Sequence, residues 1–422
     1  MSGMDHISLD QQARAILAAN DRGGYTVPTA GLYPYQWNWD SAFAAWGFAQ
    51  FDLDRAWTEV ETLFSGQWDN GMVPHILFHK PDPDYFPGPD VWGCDGPIPS
   101  SGISQPPVAA TFVRALWEQD RGAHDARLRA LLPKLTAWHR WFMDWRTEDG
   151  AVCVTHPWES GRDNASDWDT TMTRINPEGV GAYERRDTRH VDPAMRPTAH
   201  DYDRYVWLVQ RGRRLSWDEA QLRKDSPFRV ADPTMTFILM RANRDLAAMS
   251  AALGQDTSEI DGWTRQLEAG AATLWNDGIG SYDSYDVSTR EFSGEVSSAA
   301  FLCWFGGLND DRMRGQIDRV WGAARYPVPS LDPRSAKFDA MRYWRGPTWA
   351  IMNTLIGVGM QDQGLTAEAE RLRQSTAALI ANYGFAEYFD PVTGTAAGGG
   401  TFTWTAAVWL AWASPSAGSG GM

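Results

Sequence analysis

The sequence predicts an all-α protein built as a single (α/α)6 barrel, a toroid of two concentric rings of antiparallel helices. Three observations lead to this prediction. Apolar residues recur at i, i+3 and i+4 in roughly twelve or thirteen segments, and several of these segments form pairs joined by short turns. No linker rich in Ser, Gly or Pro divides the 422 residues. We therefore expect one domain over residues 1–413 and a flexible tail over residues 414–422.

The helical pattern repeats along the whole chain. Residues 257–275 illustrate it: an apolar stripe runs from Ile260 to Leu274, and Asp256 with Glu259 three residues later resembles a capping box. The same spacing predicts helices over 5–20, 38–51, 53–66, 107–121, 124–147, 202–216, 234–253, 257–275, 295–306, 309–324, 347–361, 365–383 and 403–413.

Long polar or Pro/Gly-rich segments separate the helix pairs. Loops of this length inside a compact domain are usually lids or binding loops, and in a toroid we expect them to gather, with short β-hairpins, at one mouth. These segments are 67–105, 150–200, 277–294, 325–346 and 384–402.

Composition excludes several classes of partner. The net charge of −15 argues against nucleic acids and anionic membranes, which require clustered Lys and Arg. No signal peptide and no apolar run of membrane-spanning length is visible, so we expect a cytoplasmic protein. The 23 Trp residues suit aromatic platforms for sugars as well as they suit a Trp-rich core, and composition alone leaves the two equal.

The signals for metal and nucleophile chemistry are weak. His75 and His79 lie four residues apart without a third ligand nearby, and Gly398–Gly400 lack the lysine of a phosphate-binding loop. No GxSxG motif is present, and the cysteines Cys94, Cys153 and Cys303 form no recognisable pair. We expect no metal and no organic cofactor.

The strong signals are carboxylates within aromatic loops. The stretch HPWESGRDNASDWD, residues 156–169, brings Glu159 and Asp163 close to Trp158, and apolar rings raise the pKa of a carboxylic acid toward that of a general acid. Glu387 follows in YGFAEYF, where the alternative is a surface hairpin with an exposed Glu. Two carboxylates from distant loops are the usual equipment for glycoside hydrolysis. On these residues alone, Glu159 competes with Asp163 for the role of acid.

Seven stretches together resemble glycoside hydrolase family 63, in the small branch similar to mannosylglycerate and glucosylglycerate hydrolases. They cover nearly the whole chain: YPYQWNWDSAF (33–43), QWDNGMVPH (67–75), SGISQPP (101–107), WESGRDNASDWD (158–169), YWRGPTW (343–349), FAEYFDPVTG (385–394) and FTWTAA (402–407). The resemblance implies the (α/α)6 barrel that this family shares with trehalases and glucosidase I.

The resemblance also implies a role for each matching residue. Asp163 would be the general acid and Glu387 the general base, which separates Asp163 from Glu159. Asp40 would hold sugar hydroxyls, although it could instead be a helix N-cap. The remaining substrate-binding candidates are the aromatic walls Trp37, Trp39, Tyr343, Trp344 and Trp349, the outer positions Tyr33, Tyr85 and Gln105, the glycerate-holding pair Arg196 and Tyr202, and the neighbouring Trp158 and Trp404. Arg196 could instead anchor its loop through a salt bridge, and Trp344, Trp349 and Trp404 could instead be core packing.

Two departures from the family pattern bear on the substrate. Asp167 stands where relatives have a base, which adds negative charge near the site unless that carboxylate is merely solvated. Phe402 is apolar where glycerate-cleaving relatives can carry an amide, and this disfavours a charged aglycone.

These residues predict an inverting α-glycosidase acting on a small charged glycoside of the compatible-solute kind, first of all glucosylglycerate. Alternatives are mannosylglycerate or another small α-glucoside such as glucosylglycerol. Alternatives of another class are a sugar-binding toroid without activity and a sugar epimerase or polysaccharide lyase on the same barrel. Oligomeric state is not readable from the sequence.

Overall fold

The computed structural model describes residues 6–94 and 96–417. The α-helices are α1 (His6–Asn20), α2 (Asn38–Phe48), α3 (Leu53–Ser65), α4 (Pro89–Trp92), α5 (Ala109–Gln119), α6 (Asp125–Trp145), α7 (Asp169–Met172), α8 (Asp187–His190), α9 (Ala199–Arg214), α10 (Glu219–Lys224), α11 (Pro233–Ala252), α12 (Ser258–Ala271), α13 (Arg312–Ala323), α14 (Ala350–Asp362), α15 (Thr366–Tyr383) and α16 (Thr403–Val408). The 3₁₀-helices are Pro157–Ser160, Ser166–Trp168, Pro193–Met195, Ala272–Leu274 and Ser298–Cys303, and a π-helical turn, Trp409–Ala413, continues α16.

Six inner elements close into a ring. Going round it, α2 packs on α5, α5 on α11, α11 on the 3₁₀-helix Ser298–Cys303, that helix on α14, α14 on α16, and α16 back on α2. Every residue of α2 is buried, as are the first eleven residues of α14. Helices that are apolar on all sides have to lie in a protein interior, which explains why these segments form the inner ring.

Outer helices cover the inner ones. Contacts pair α3 with α2, α6 with α5, α12 with α11, α15 with α14 and α1 with α16. The outer helices α3 and α12 are amphipathic: buried residues such as Trp57 and Leu63 in α3 lie on one stripe, and the charged residues, except the buried Glu59, are at least partly exposed. The predicted fold class is therefore confirmed, with helices in two rings and only short strands.

The strands are short and form hairpins at the loops. They are β1 (Gln36–Trp37), β2 (Ile76–Leu77), β3 (Thr147–Glu148), β4 (Ala151–Val154), β5 (Val230–Ala231), β6 (Trp275–Asn276), β7 (Ser281–Tyr282), β8 (Tyr285–Asp286), β9 (Tyr388–Phe389) and β10 (Ala396–Ala397). All pairings are antiparallel: β1 with β2, β6 with β7, β9 with β10, and one four-stranded sheet in the order β3-β4-β5-β8. In the last hairpin Tyr388 lies opposite Ala397.

Most predicted helices differ from the observed ones by a few residues at their ends, and at three of them the cause is visible. The helix predicted over 202–216 begins at Ala199, because the Thr198 hydroxyl accepts the Asp201 backbone N–H and caps it. The segment predicted as helix over 295–306 is a short 3₁₀-helix, since Ser297 upstream is extended and pairs with Leu331. The helix predicted over 347–361 begins at Ala350, because Thr348 is extended and pairs with Phe389.

The start of the predicted tail is anchored. Ser414 is buried, and its hydroxyl donates to Asp10 of α1 at 3.0 Å; residues 418–422 lie outside the described residues. The division into a domain and a flexible tail stays a prediction. Within the described part of the chain, no helix has both the length and the apolar character needed to cross a bilayer.

Candidate active site

A cavity lies where five connections meet, each of which runs from an outer helix to the next inner element. Most of the predicted site residues line it: Tyr33, Trp37, Trp39, Asp40, Tyr85, Gln105, Trp158, Asp163, Arg196, Tyr202, Tyr343, Glu387 and Trp404. Further lining residues were not predicted as site residues: Pro28, Leu32, His75, Ile76, Phe86, Pro87, Gly161, Arg186, Asp187 and Phe402.

Glu387 lies at the start of the hairpin β9–β10, and its backbone N–H donates to the Ala397 carbonyl at 3.1 Å. The hairpin was one of the alternatives read from the sequence, but Glu387 is only 1% exposed instead of facing solvent. Gly398 makes this burial possible. Its φ is +80°, and a Cβ there would lie 2.2 Å from Glu387 Oε2, so the turn requires glycine.

The two oxygens of the Glu387 carboxylate have different surroundings. The hydroxyls of Tyr33 and Tyr343 each donate to Oε1 at 3.1 Å. Oε2 accepts no hydrogen bond from the described residues, and its nearest cation is the Arg196 guanidinium, whose Nη1 lies 3.5 Å away. Burial raises the pKa of Glu387 to about 7, although the Arg196 charge and both phenols act to lower it.

Asp163 follows the 3₁₀-helix Pro157–Ser160 and a tight turn at Gly161. Gly161 has φ +70°, and a Cβ there would lie 2.6 Å from the Trp39 ring, so glycine lets this loop approach α2. The Tyr205 hydroxyl donates to the Asp163 carbonyl at 2.9 Å and fixes the backbone. Burial raises the pKa of the Asp163 carboxyl to about 7; Arg196 opposes the shift, and the Glu387 charge adds to it.

Glu159, the other candidate for the general acid in the sequence, is part of the wall and does not line the cavity. It is 1% exposed, and its carboxylate accepts from Arg146 at 2.9 Å and from the Thr155 N–H at 2.7 Å. Asp167 is likewise buried and paired with Arg162 at 3.0 Å, which lowers its pKa against the effect of burial. The expectation that Asp167 is solvated is therefore wrong. Arg162 is shared with Asp232 at 2.9 Å, so the added negative charge near the site stays a prediction.

Asp40 reaches the cavity from the first turn of α2. The helix begins at Asn38 with Trp37 as its N-cap residue, so Asp40 is not the cap. Its carboxyl is buried, and burial together with the Glu387 charge raises its pKa well above the usual value. Gln105 orients the same turn, since its side-chain oxygen accepts the Trp39 N–H at 3.2 Å.

Arg196 lies at the centre of the polar contacts. Its Nε donates to Asp187 at 3.0 Å, its Nη2 donates to the Tyr33 hydroxyl at 2.8 Å, and its Cζ lies 3.8 Å from the Tyr343 ring centroid. Sequence reasoning missed Asp187. The only signal was the run Arg185-Arg186-Asp187 inside a long loop, and a charged run on a loop is usually solvated.

Two predicted wall residues lie behind the cavity instead of lining it. Trp344 and Trp349 stack with centroids 3.9 Å apart and an interplanar angle of 6°. Trp349 Nε1 donates to the Tyr343 carbonyl at 3.2 Å, and Asn164 accepts the Trp344 N–H at 2.9 Å. The pair thus supports Tyr343 and the loop that carries Asp163.

The outer part of the cavity is aromatic. The Tyr202 hydroxyl donates to the Phe86 carbonyl at 3.4 Å, and Tyr85 contacts Trp37 edge-on at 5.8 Å. Phe402 packs on Trp404 at 4.6 Å and on Tyr33 at 6.0 Å. Flat rings next to polar groups are suited to binding the apolar faces and the hydroxyl edges of a sugar.

The histidines near the site have separate partners. His75 Nδ1 contacts the Ser101 hydroxyl at 2.6 Å, and His79 Nε2 contacts the Gln36 side-chain oxygen at 2.7 Å. Among the residues that the structure describes, no group of three or more His, Cys, Asp or Glu side chains is arranged to hold a metal ion.

Comparison with known proteins agrees with this geometry. The sequence model of the mannosylglycerate hydrolase MGH1-like glycoside hydrolase domain matches residues 33–405. The chain belongs to this family. As a member of it, the protein is a glycoside hydrolase, and the family 63 resemblance read from the sequence is confirmed.

Several relatives of this glycoside hydrolase match over nearly its whole length. A mannosylglycerate hydrolase from Thermus thermophilus is 46% identical over 412 residues, covering 95% of this chain and 99% of the relative. One from Selaginella moellendorffii is 46% identical over 413 residues, covering 95% and 85%. A glucosylglycerate hydrolase from Mycolicibacterium hassiacum is 33% identical over 435 residues, covering 96% and 97%.

Solved structures show the same fold. The crystal structure of the Thermus thermophilus family 63 mannosylglycerate hydrolase with Tris and D-glycerate superposes with a TM-score of 0.92 at 45% identity, covering 95% of this chain and 99% of that one. Neutral trehalase from Saccharomyces cerevisiae, at 15% identity and a TM-score of 0.54 over 94% and 78%, shares the fold alone.

Proposed function

We propose that this glycoside hydrolase cleaves the α-linkage between a hexose and glycerate in one displacement, with inversion at the anomeric carbon. Asp163 acts as the general acid and Glu387 as the general base. The observation that carries the proposal is that these two carboxyl groups, from loops far apart in sequence, line one cavity and both have a pKa raised to about 7. Pairs of this kind drive glycoside hydrolysis.

The reaction divides the work between the two carboxyl groups. The protonated Asp163 gives its proton to the glycosidic oxygen as the bond from that oxygen to the anomeric carbon breaks. A water molecule attacks the same carbon from the opposite face, and its proton goes to Glu387. Oε2 is the oxygen that takes this proton, because Oε1 is already held by the Tyr33 and Tyr343 hydroxyls.

The sugar is held by Asp40 and the rings around it. Asp40 faces the cavity from a fixed helical turn and accepts hydrogen bonds from sugar hydroxyls. Trp39 is 2% exposed and Trp37 is 8% exposed, so both rings are pre-positioned and lose little entropy on binding.

The glycerate is held by Arg196, with Tyr202 and Gln105 as neutral partners. A guanidinium can donate two parallel hydrogen bonds to a carboxylate, which a hydroxyl cannot accept in the same way. The relatives named as hydrolases of glycerate glycosides, and the Thermus thermophilus structure with D-glycerate, support this aglycone. Phe402 is the residue that opposes it, because an apolar wall disfavours a charge that it cannot pair.

The choice of hexose depends on the relatives. The sequence motifs predict glucosylglycerate first, whereas relatives named for mannosylglycerate are 46% identical and the one named for glucosylglycerate is 33% identical. We therefore propose mannosylglycerate as the main substrate and keep glucosylglycerate as the second candidate.

The test is a panel of four α-glycosides assayed for released sugar: mannosylglycerate, glucosylglycerate, mannosylglycerol and glucosylglycerol. The wild type should turn over a glycerate glycoside with the highest kcat/KM. Arg196→Ala should lower kcat/KM about ten- to a hundredfold on that substrate, because a charge-assisted hydrogen bond contributes about 1.5–3 kcal/mol. On the matching glycerol glycoside the same change should cost much less.

Either of two results would contradict the aglycone assignment. The first is a wild type that prefers a glycerol glycoside. The second is an Arg196→Ala variant that loses both activities equally, which would make Arg196 a structural residue and leave only the glycosidase assignment standing.

A further inference from the structure

Arg196 contacts the base side of the site, although the proposed function gives it the aglycone. Its Nη1 lies 3.5 Å from Glu387 Oε2, the oxygen that accepts no hydrogen bond. Its Nη2 donates to Tyr33, and its guanidinium stacks on Tyr343. Both phenols in turn donate to Oε1 of the same glutamate. Arg196 therefore touches Glu387 and both residues that hold it.

The guanidinium is not fully satisfied in this position. It is 4% exposed, and its Nη1 donates no hydrogen bond to any described residue. The Nε end is fixed by Asp187 at 3.0 Å, and Asp187 is held in place by Arg185 at 2.7 Å. Nη1 is thus a buried donor that can bind a second carboxylate without losing a hydrogen bond.

We propose that Arg196 is a carboxylate-operated switch on the catalytic base. When the aglycone subsite holds no carboxylate, Nη1 of Arg196 pairs with Glu387 and hinders its Oε2. The carboxylate of a bound substrate takes Nη1 as its donor and frees that oxygen, while Nε stays on Asp187. This inference rests on the proposed roles of Glu387 and Arg196. Arg196 acts here as a positioning residue for the base in addition to binding the aglycone.

The charged and titratable groups that face Glu387 determine in which direction its pKa changes when a carboxylate binds Arg196. They come from six segments and are Tyr33, Asp40, Asp163, Asp187 with Arg196, Tyr343 and Tyr388. Arg196 is the one cation among them, and it opposes the effect of burial on the pKa of Glu387. A substrate carboxylate that neutralises Arg196 raises that pKa and makes Glu387 a stronger base.

The switch moves part of the substrate specificity from binding to turnover. A neutral glycoside can fill the sugar pocket, but it leaves Arg196 on the base and is hydrolysed slowly. Discrimination of this kind lowers kcat for the neutral substrate, whereas the loss of a simple binding contact raises KM.

The experiment uses α-mannosyl fluoride, or α-glucosyl fluoride if glucosylglycerate proves the better substrate. In this reaction water forms the new bond to the anomeric carbon, fluoride leaves with the electron pair of the broken bond, and the water proton goes to Glu387. The leaving group is small, so the aglycone subsite stays free for an added carboxylate. Turnover is measured with D-glycerate or with glycerol at equal concentration, for wild type, Arg196→Met and Arg189→Met.

We expect D-glycerate to raise wild-type kcat on the fluoride about three- to tenfold, and glycerol to have no such effect. Arg196→Met should not respond to D-glycerate. Arg189→Met is the matched control, because Arg189 is an exposed cation in the same loop, paired with Glu184, and this variant should respond as the wild type does. D-glycerate should also move the acid limb of the wild-type pH profile to higher pH.

The switch is overturned if D-glycerate leaves unchanged or inhibits wild-type turnover of the fluoride, or if it activates Arg196→Met equally. If Arg196→Met folds poorly, the effect of D-glycerate on the turnover and on the pH profile of the wild type still tests the switch. Failure of the proposed function is a separate result, namely that wild type hydrolyses neither glycerate glycoside.

Discussion

Glu159 and Asp163 lie four residues apart in one loop, and the fold gives them opposite surroundings. Glu159 faces the wall, where Arg146 and the Thr155 N–H satisfy its carboxylate. Asp163 faces the cavity, and within the described chain no side chain donates a hydrogen bond to its carboxyl. Burial, with no side chain donating a hydrogen bond to the carboxyl, raises the pKa of Asp163 to about 7, so Asp163 can hold a proton near neutrality and donate it, whereas the hydrogen bonds of Glu159 tie it to the wall.

The same contrast separates Asp167 from Glu387. Asp167 accepts hydrogen bonds from Arg162, Ser284 and Ser297, and its pKa is lowered. Glu387 accepts hydrogen bonds only from the neutral hydroxyls of Tyr33 and Tyr343, and its nearest cation, Arg196, lies 3.5 Å away. Each carboxylate has one oxygen without a hydrogen bond from the described residues. What distinguishes these two buried carboxylates is therefore the cationic donor that Asp167 has and Glu387 lacks.

The largest expected effect is on kcat and comes from substituting Asp163 and Glu159 separately. Asp163→Asn should lower kcat about 10²–10⁴-fold, because it removes the proton donor, and should leave the free energy of unfolding unchanged. Glu159→Gln should keep kcat within a few-fold, yet lower the free energy of unfolding by about 1.5–3 kcal/mol, since it weakens a buried charge-assisted pair. Steady-state assays and chemical denaturation of both variants check this.

The assignment of Asp163 to the acid and of Glu159 to the wall is wrong if the two variants show each other's expected kcat. An Asp163→Asn variant with near-wild-type kcat, together with an inactive but folded Glu159→Gln variant, would make Glu159 the acid.

We expect kcat to depend on the exact position of the Glu387 carboxylate. Gly398→Ala places a Cβ 2.2 Å from Glu387 Oε2 and 2.3 Å from Glu387 Cβ at a φ of +80°, so the whole glutamate side chain has to move. A displacement of about 1 Å can cost up to about 10²-fold in rate, and we expect kcat to fall by that order with little change in KM. Gly400→Ala is the matched control, because a Cβ there meets no atom within 4 Å. Equal kcat values for the two variants would show that Oε2 needs no fixed position.

The smallest effect concerns pH. Glu387 has to be ionised and Asp163 protonated, and both pKa values are raised to about 7. Activity should therefore fall as the pH drops below about 7, where Glu387 gains a proton, and as it rises above about 7, where Asp163 loses one. The kcat/KM profile of wild type should be a narrow bell near neutrality whose apparent values belong to the pair. Limbs near pH 4 and pH 10 would contradict the account, and Glu159→Gln should leave the limbs in place.

Periodicity in the sequence predicted the two helical rings because apolar spacing reports burial directly. It misplaced some helix ends where a backbone pairing with a distant residue replaces the first turn of the helix. Thr348 is an example, because its antiparallel bridge to Phe389 cannot be predicted from the local pattern. Motifs brought most of the lining residues together, but they did not separate Trp39, which lines the cavity, from Trp344, which lies behind it. Asp187 was missed because its role depends on Arg196 folding back onto it, a contact between two positions of an irregular loop.

The central claim is that Asp163 and Glu387 act on opposite faces of one anomeric carbon. Proton NMR of the first sugar released by wild type, recorded before mutarotation, tests it most directly. From an α-linked glycerate glycoside we predict that the β-anomer of the hexose appears first and the α-anomer only later. Initial release of the α-anomer would contradict the account, because it would require two displacements with a covalent intermediate.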